Sequence, residues 1–246
     1  MKALPLAVEI EINDACNRTC AYCPNDEHER IEKGAMERDL FILLMTQLQD
    51  MGFRGRISYH FYNEPLFSKD LEDYVVLTKE YLPECRIDLF TNGTLLNQQR
   101  LESLIRCGVD KFTVTRHVNA DLRDFEAALL AISPENRERI RYLTYKQVPL
   151  TNRGGTLAGV GPRSLKPPLK LPCFIPECTL VVTLKGNVIP CYEDYFQKHV
   201  MGNIREKHIR DIWTSAQYVY FRNQLKKGER AAFSVCQDCN NSMVIA

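Results

Sequence analysis

Cys16-Asn17-Arg18-Thr19-Cys20-Ala21-Tyr22-Cys23-Pro24 is the stretch that decides how this chain is read. Three thiols stand at the spacing C-x3-C-x2-C in a short polar loop, directly after the strand-like run Val8-Glu9-Ile10-Glu11-Ile12. Thiolates this close together wrap one face of a compact metal centre. Three ligands are one short of the four that close an iron–sulfur cube, so one iron stays open to another ligand. A zinc ion held by the same cysteines and His28 is the competing reading, because structural zinc takes three sulfurs and one imidazole.

Outward from this loop, short β-like runs alternate with amphipathic helical ones. Strands are expected at Val8–Asn13, Arg56–Tyr62, Arg86–Thr91, Lys111–Thr115 and Ile140–Lys146. Helices are expected at Glu37–Asp50, Lys69–Tyr81, Asn97–Cys107 and Leu122–Ile132. The alternation implies βαβ units and a parallel sheet, hence an α/β fold built as a partial TIM-like barrel. Functional residues of such sheets lie at the carboxyl ends of the strands. Cys16 obeys that rule. The second strand runs into Tyr62-Asn63-Glu64-Pro65, where Pro65 stops it. The third ends in Thr91-Asn92-Gly93, where glycine permits a positive φ, and the fourth ends in Thr115-Arg116-His117.

Prolines and glycines crowd residues 149 to 178 and mark a connection between two domains, placed at 1–155 and 156–246. Arg153 sits between turn residues in Thr151-Asn152-Arg153-Gly154-Gly155, near a strand end, from where it can reach a cleft. The second half holds its own cysteines, Cys173, Cys191, Cys236 and Cys239, around a hairpin (Thr179–Leu184 and Val188–Pro190) and a helix near Asp211–Leu225. Four cysteines suit a closed [4Fe–4S] site, with structural zinc as the rival. Cys85 and Cys107 read as packing residues. Cys178 is open to three roles: a small apolar residue, an alternative cluster ligand or a hydrogen-atom donor.

A net charge of +1 over 246 residues gives no reason to expect nucleic acid or an anionic membrane as partner. Glu9 and Glu11 interrupt the N-terminal apolar run too early for a signal peptide, and no run reaches membrane-spanning length. A cytoplasmic chain with ten cysteines is expected to ligate metal rather than form disulfides.

The cysteine loop, with aromatic Tyr22 before its third cysteine, resembles the radical S-adenosylmethionine (SAM) superfamily. The second half resembles its twitch (SPASM-like) auxiliary-cluster domains through the four cysteines, Met201-Gly202-Asn203-Ile204 and Asp211-Ile212-Trp213. Within the superfamily, Cys16–Asn25, Ser58–Pro65, Asn152–Gly155, Gly186–Asp194 and Cys236–Asn241 are similar to the aminocyclitol dehydrogenases of aminoglycoside antibiotic biosynthesis. The resemblance implies two [4Fe–4S] clusters, SAM on the open iron, and its cleavage to a 5′-deoxyadenosyl radical. It implies oxidation of a small-molecule secondary alcohol to a ketone, with the second electron taken by the auxiliary cluster. Tyr22, Asn63, Glu64, Thr91, Asn92 and His117 would contact SAM. Arg153 would steady the alkoxide, Glu193 would meet a substrate amine or hydroxyl, and Tyr62 would form a wall. A flavodoxin or ferredoxin would supply electrons. Asn63 stands where many members have glycine, and Cys178 is additional. A radical SAM epimerase, a peptide maturase and a non-enzymatic zinc module are the alternatives.

Overall fold

Strand β1 (Ala7–Ile10) lies inside an eight-stranded sheet in the computed structural model of this chain, which describes residues 4–162 and 165–242. On one side follow β2 (Arg56–Ser58), β3 (Arg86–Thr91), β4 (Lys111–Arg116) and β5 (Ile140–Thr144), all parallel. On the other side β6 (Thr179–Val182) runs parallel to β1, and β7 (Asn187–Ile189) and β8 (Gly202–Asn203) continue antiparallel. The parallel strands are joined through α1 (Arg38–Met51), α2 (Leu71–Tyr81), α3 (Gln98–Cys107), α4 (Arg123–Ala131) and a short α5 (Pro134–Glu138). One turn of helix, α6 (Ile175–Cys178), leads into β6, and α7 (Ile209–Thr214), α8 (Ala216–Lys226) and α9 (Ser234–Gln237) follow β8.

The two faces of the sheet do different jobs. Side chains alternate across a strand, so Val8 and Ile10 enter the main core with Leu40, Phe41 and Leu44 of α1. Leu40, Phe41, Leu44, Met45, Leu48 and Met51 repeat at helical spacing and form the buried stripe of that helix. Glu9 points the other way, in register with Ser58 and Val181. On that inner face Val181 and Ile189 pack with Phe61, Tyr62 and Tyr195 in a second apolar cluster. All four residues of β1 are buried, as a strand covered on both faces requires.

The expected α/β partial barrel is present, with differences that have physical causes. The sixth parallel strand is β6, the first arm of the expected hairpin, so one sheet spans both halves of the chain. Strand β2 ends at Ser58 rather than Tyr62. Asn63 Oδ1 accepts from the Phe61 N–H (2.8 Å) and its Nδ2 donates to the Tyr59 carbonyl (3.3 Å), which takes those groups out of the ladder. Strand β1 likewise stops before Asn13, whose Oδ1 accepts from the Ala15 N–H (3.0 Å) and opens the cysteine loop. The helix expected near Asp211–Leu225 is two helices. Ser215 has extended ψ (151°), and its hydroxyl caps α8 by accepting from the Tyr218 N–H (3.2 Å). Among the described residues, no helix is long and apolar enough to cross a membrane.

Arg30 pins the segment after the cysteine loop to the barrel wall. It pairs with Glu11, and its guanidinium lies over the rings of Phe61 (4.9 Å) and Tyr195 (4.7 Å). Glu11 is fully buried. Arg30→Met should therefore destabilise the fold by about 3–5 kcal/mol, because it leaves a buried carboxylate without its counter-charge. Denaturant unfolding reads this loss. Glu11→Gln in the same chain should restore most of it, and an unchanged midpoint in the single variant would refute the pair's role.

Candidate functional site

A cavity of about 430 Å³ opens at the carboxyl ends of the strands, lined on one side by Cys16, Cys20 and Cys23. The loop carrying these thiols is braced from several directions. Asn92 Nδ2 donates to Asn17 Oδ1 (2.8 Å), and Asn17 Nδ2 donates to Thr94 Oγ1 (2.6 Å). Asn25 Nδ2 donates to the Tyr62 carbonyl (2.7 Å), and Arg18 donates to the Val118 carbonyl. Burial pushes the Cys16 thiol up to about 11. A metal bound there would ionise it, with release of protons.

Six predicted SAM contacts line this cavity together: Tyr22, Asn63, Glu64, Thr91, Asn92 and His117. Tyr22 stacks with Tyr145 (centroids 5.5 Å apart) and lies near His117 (5.8 Å), whose Nδ1 its hydroxyl meets at 2.7 Å. Burial, helped by Arg18, keeps His117 below the usual histidine range. Glu64 is not a free acid. It accepts from the Asn92 N–H (2.7 Å), the Thr91 hydroxyl (2.6 Å) and the Leu66 N–H (3.1 Å), and thus fixes the turn after β3. Gly93 in that turn has φ +77°, and a Cβ there would stand 2.6 Å from Val114 Cγ1.

Arg153 and Tyr62 line the same cavity, with the guanidinium 5.8 Å from the Tyr62 ring centroid. The turn bearing Arg153 is clamped against two loops of the second half. A Cβ on Gly154 would come within 2.6 Å of the Glu193 carbonyl, and one on Gly155 within 2.5 Å of Asp238 Cβ. Asn152 and Asn240 exchange hydrogen bonds, the Asn152 N–H to Asn240 Oδ1 (2.8 Å) and the Asn240 N–H to Asn152 Oδ1 (3.1 Å). Arg153 Nε is buried without a partner. Glu193, expected beside a substrate, lies outside the residues that line this cavity. Its buried carboxylate accepts from the Thr151 hydroxyl (2.9 Å) and Asn241 Nδ2 (2.8 Å). The Tyr62 hydroxyl donates to the Tyr192 carbonyl (2.8 Å), next in chain to Glu193.

Two groups on the cavity floor escaped the sequence reading. One oxygen of Glu9 is held by Arg56 (3.1 Å), while Oε2 is buried and unpartnered. His60 lies against the Phe90 ring (4.6 Å) with Nδ1 unpartnered, and burial lowers its pKa. A carboxylate inside an otherwise apolar strand was the available signal for Glu9. Tyr145 and Asn17 had none.

Cys173, Cys191, Cys236 and Cys239 converge on a second, small apolar cavity, with Glu193 and Arg230 at its edge. The Glu193 N–H points to Cys191 Sγ (3.3 Å) and the Asn241 N–H to Cys239 Sγ (3.4 Å), as bonds to cluster-bound thiolates do. Burial raises all four thiols, Cys239 to about 12. The donor sets fit two cubes, three thiols at an open cavity and four around a closed one. The first set does not fit zinc with His28 as fourth ligand: His28 Nε2 faces the Thr156 carbonyl (3.2 Å), and His28 does not line the cysteine loop's cavity. Cys85 is buried in the core and Cys107 packs against it. Cys178 sits where α6 meets β6, its carbonyl accepting from the Leu6 N–H (2.8 Å), and it lines neither cavity.

The family model of the radical SAM superfamily matches residues 10–143. This chain belongs to that superfamily. Radical SAM membership implies an iron–sulfur cluster and SAM, and a SPASM iron–sulfur cluster-binding domain model matches residues 173–240, which hold the second cysteine set. The radical SAM chain is 43% identical over 237 residues to the S-adenosyl-L-methionine-dependent 2-deoxy-scyllo-inosamine dehydrogenase of Niallia circulans, covering 96% of this chain and 93% of that one. It is similar to the crystal structure of BtrN in complex with AdoMet and 2-DOIA, with TM-score 0.93 and 42% identity over 100% of this chain and 97% of that one. BtrN in an open conformation matches less well, with TM-score 0.80 and 38% identity over 99% and 96% of the chains. The fold is thus nearer the ligand-bound arrangement.

Proposed function

We propose that this radical SAM protein oxidises a secondary alcohol of an aminocyclitol, or of a related sugar-like molecule, to a ketone, using two [4Fe–4S] clusters. The observation that carries the reading is the position of Arg153, a cation with an unpartnered N–H in a cavity that has the three loop thiols on one wall. Its turn rests directly on the loops of Cys191 and Cys236. The name of the Niallia circulans relative supports the same chemistry. A cavity of about 430 Å³ suits a small molecule better than a peptide.

When bound, SAM and the first cluster supply an acceptor for the carbinol hydrogen atom, and the second cluster supplies an acceptor for the remaining electron. The substrate then has one hydroxyl proton left to lose, which passes to water at the open mouth of the cavity. Arg153 holds that oxygen and stabilises negative charge on it through charge-assisted hydrogen bonds. Tyr62 and Tyr192 form the wall that fixes the carbinol face. Tyr22, His117 and Tyr145 make an aromatic platform, while Asn63, Thr91 and Asn92, the latter two fixed by Glu64, present polar groups for the cofactor's amino acid and ribose. Glu9 and His60 offer open hydrogen-bonding atoms to an amine or hydroxyl across the ring. Glu193 keeps the Arg153 turn in place through Thr151 and reaches substrate only if that network opens. Residues 1–155 carry the radical-generating half and 156–246 the auxiliary half. A flavodoxin or ferredoxin donates electrons, and a reducing compartment such as the cytoplasm suits the free thiols.

An anaerobic screen of aminocyclitols, counting 5′-deoxyadenosine against ketone, tests this reading. One ketone should form per 5′-deoxyadenosine. An epimerase would instead need a hydrogen-atom donor, and the cysteines lining the cavity are the three of the loop. Cys178→Ala in deuterated buffer should therefore give ketone at the wild-type rate with no solvent deuterium in it. Inversion of a carbinol centre with deuterium incorporation by the wild type, lost in the variant, would identify an epimerase.

A further inference from the structure

Arg230 is 2% exposed, at the edge of the cavity into which the four auxiliary cysteines point. Its guanidinium donates through Nε to the Leu171 carbonyl (3.0 Å), through Nη1 to the Asn241 carbonyl (2.6 Å) and through Nη2 to the Pro172 carbonyl (3.3 Å). Carbonyls take up three of its five N–H groups but bring no charge. Among the described residues Arg230 forms no ion pair, although an arginine stays charged wherever it is buried. A buried cation without a counter-charge is costly. A cube held by four thiolates carries net negative charge in either oxidation state, and it would lie in the cavity that Arg230 borders.

We propose that Arg230 is the built-in counter-charge of the auxiliary cluster and raises its reduction potential, so that it accepts the electron released by alcohol oxidation. Net charge and hydrogen bonds near the sulfurs are main determinants of such potentials. Adding an electron to an anion in an apolar cavity is easier beside a fixed positive charge. Glu193 borders the same cavity and acts with the opposite sign. Without Arg230, four thiolates and a carboxylate would face the incoming electron together. Arg230 is a positioning and tuning residue, and it does not touch the substrate cavity. The purpose assigned to it rests on the dehydrogenase reading, but its effect on the potential does not.

The test uses the full chain, reconstituted anaerobically, with Cys16, Cys20 and Cys23 replaced by Ala so that one cluster remains. The midpoint potential is read by a redox titration followed by electron paramagnetic resonance, with iron content measured alongside. Arg230→Gln keeps donors for the carbonyls and removes the charge. It should cut the equilibrium constant for reduction at least tenfold, a fall of about 59 mV for one electron. Arg230→Lys should stay close to the parent. A fully loaded Gln variant with the parent potential, or a Lys variant that falls as far as Gln, overturns the proposal. Should the Gln variant fail to load, Glu193→Gln is compared with the Glu193→Gln/Arg230→Gln pair, which removes one charge of each sign. The pair should lie well below the single variant, and equal potentials would overturn the proposal. No substrate enters these measurements, so a failed aminocyclitol screen with the expected shifts would refute the dehydrogenase reading and leave Arg230's role standing.

Discussion

Replacing Cys16, Cys20 and Cys23 by Ala should abolish SAM cleavage and lower bound iron from about eight to about four per chain, one cube of the two. The reason lies in the separation of the thiol sets. The three loop cysteines line the large cavity, while the other four converge on a small cavity of their own. Among the described residues no other cysteine lines the first site to replace the lost thiolates: Cys178 lies where α6 meets β6, and His28 is directed at the Thr156 carbonyl. The fold should survive, because the main core, with Val8, Ile10, Leu40 and Phe41, uses none of the three, and only Cys23 packs against the smaller cluster of Phe61, Tyr62 and Tyr195. Iron and sulfide analysis reads the cluster count, and chromatography of 5′-deoxyadenosine reads cleavage. A variant that still cleaved SAM would remove the loop from the chemistry, and a colourless wild-type protein with stoichiometric zinc would end the iron–sulfur reading altogether.

The parallel half was legible in the sequence because its signals are local. Strand β3 matches the expected Arg86–Thr91 in full, and Gly93 adopts the positive φ that its turn suggested. The strand-end rule then gathered Cys16, Glu64, Thr91, Asn92 and His117 around one cavity from four separate segments. What escaped depends on partners distant in sequence or on side chains that capture backbone groups. The pairing of β6 with β1 joins residues over 170 positions apart, such as Ala7 and Thr179, and no periodicity encodes it. Asn63 shortens β2 by bonding its own turn, an effect that a substitution for glycine hints at but does not specify. Glu193 illustrates a third limit. Its place beside Cys191 is plain from the chain, yet the direction of its carboxylate is set by Thr151 and Asn241, which come from two other segments. The Asn152–Asn240 pair is equally invisible to a linear reading, and it fixes the Arg153 turn on the auxiliary loops.

Arg153→Ala should slow ketone formation by roughly 30- to 900-fold, the equivalent of about 2–4 kcal/mol of transition-state stabilisation. Charge develops on the substrate oxygen as its proton leaves, and a preorganised guanidinium that is itself largely buried is worth more there than in solution. Preorganisation is visible in the chain itself. Arg153 has φ +49°, an uncommon conformation for a side chain of its size, held by Gly154 and Gly155 packed on the Glu193 and Asp238 segments. Its Nε has no partner, so a donor is free for the substrate. SAM cleavage without substrate should be nearly unchanged, because Arg153 belongs to the turn on the auxiliary loops and not to the bonded network of Asn17, Asn92 and Thr94 that braces the cysteine loop. Arg153→Lys separates charge from shape: a lysine keeps the charge but lacks the planar fork, so partial recovery of turnover would show that charge carries part of the effect. The two rates, ketone and substrate-free 5′-deoxyadenosine, must therefore be measured on the same preparation. A fall of equal size in both would place Arg153 in cofactor binding, and wild-type rates in both would remove it from the reaction.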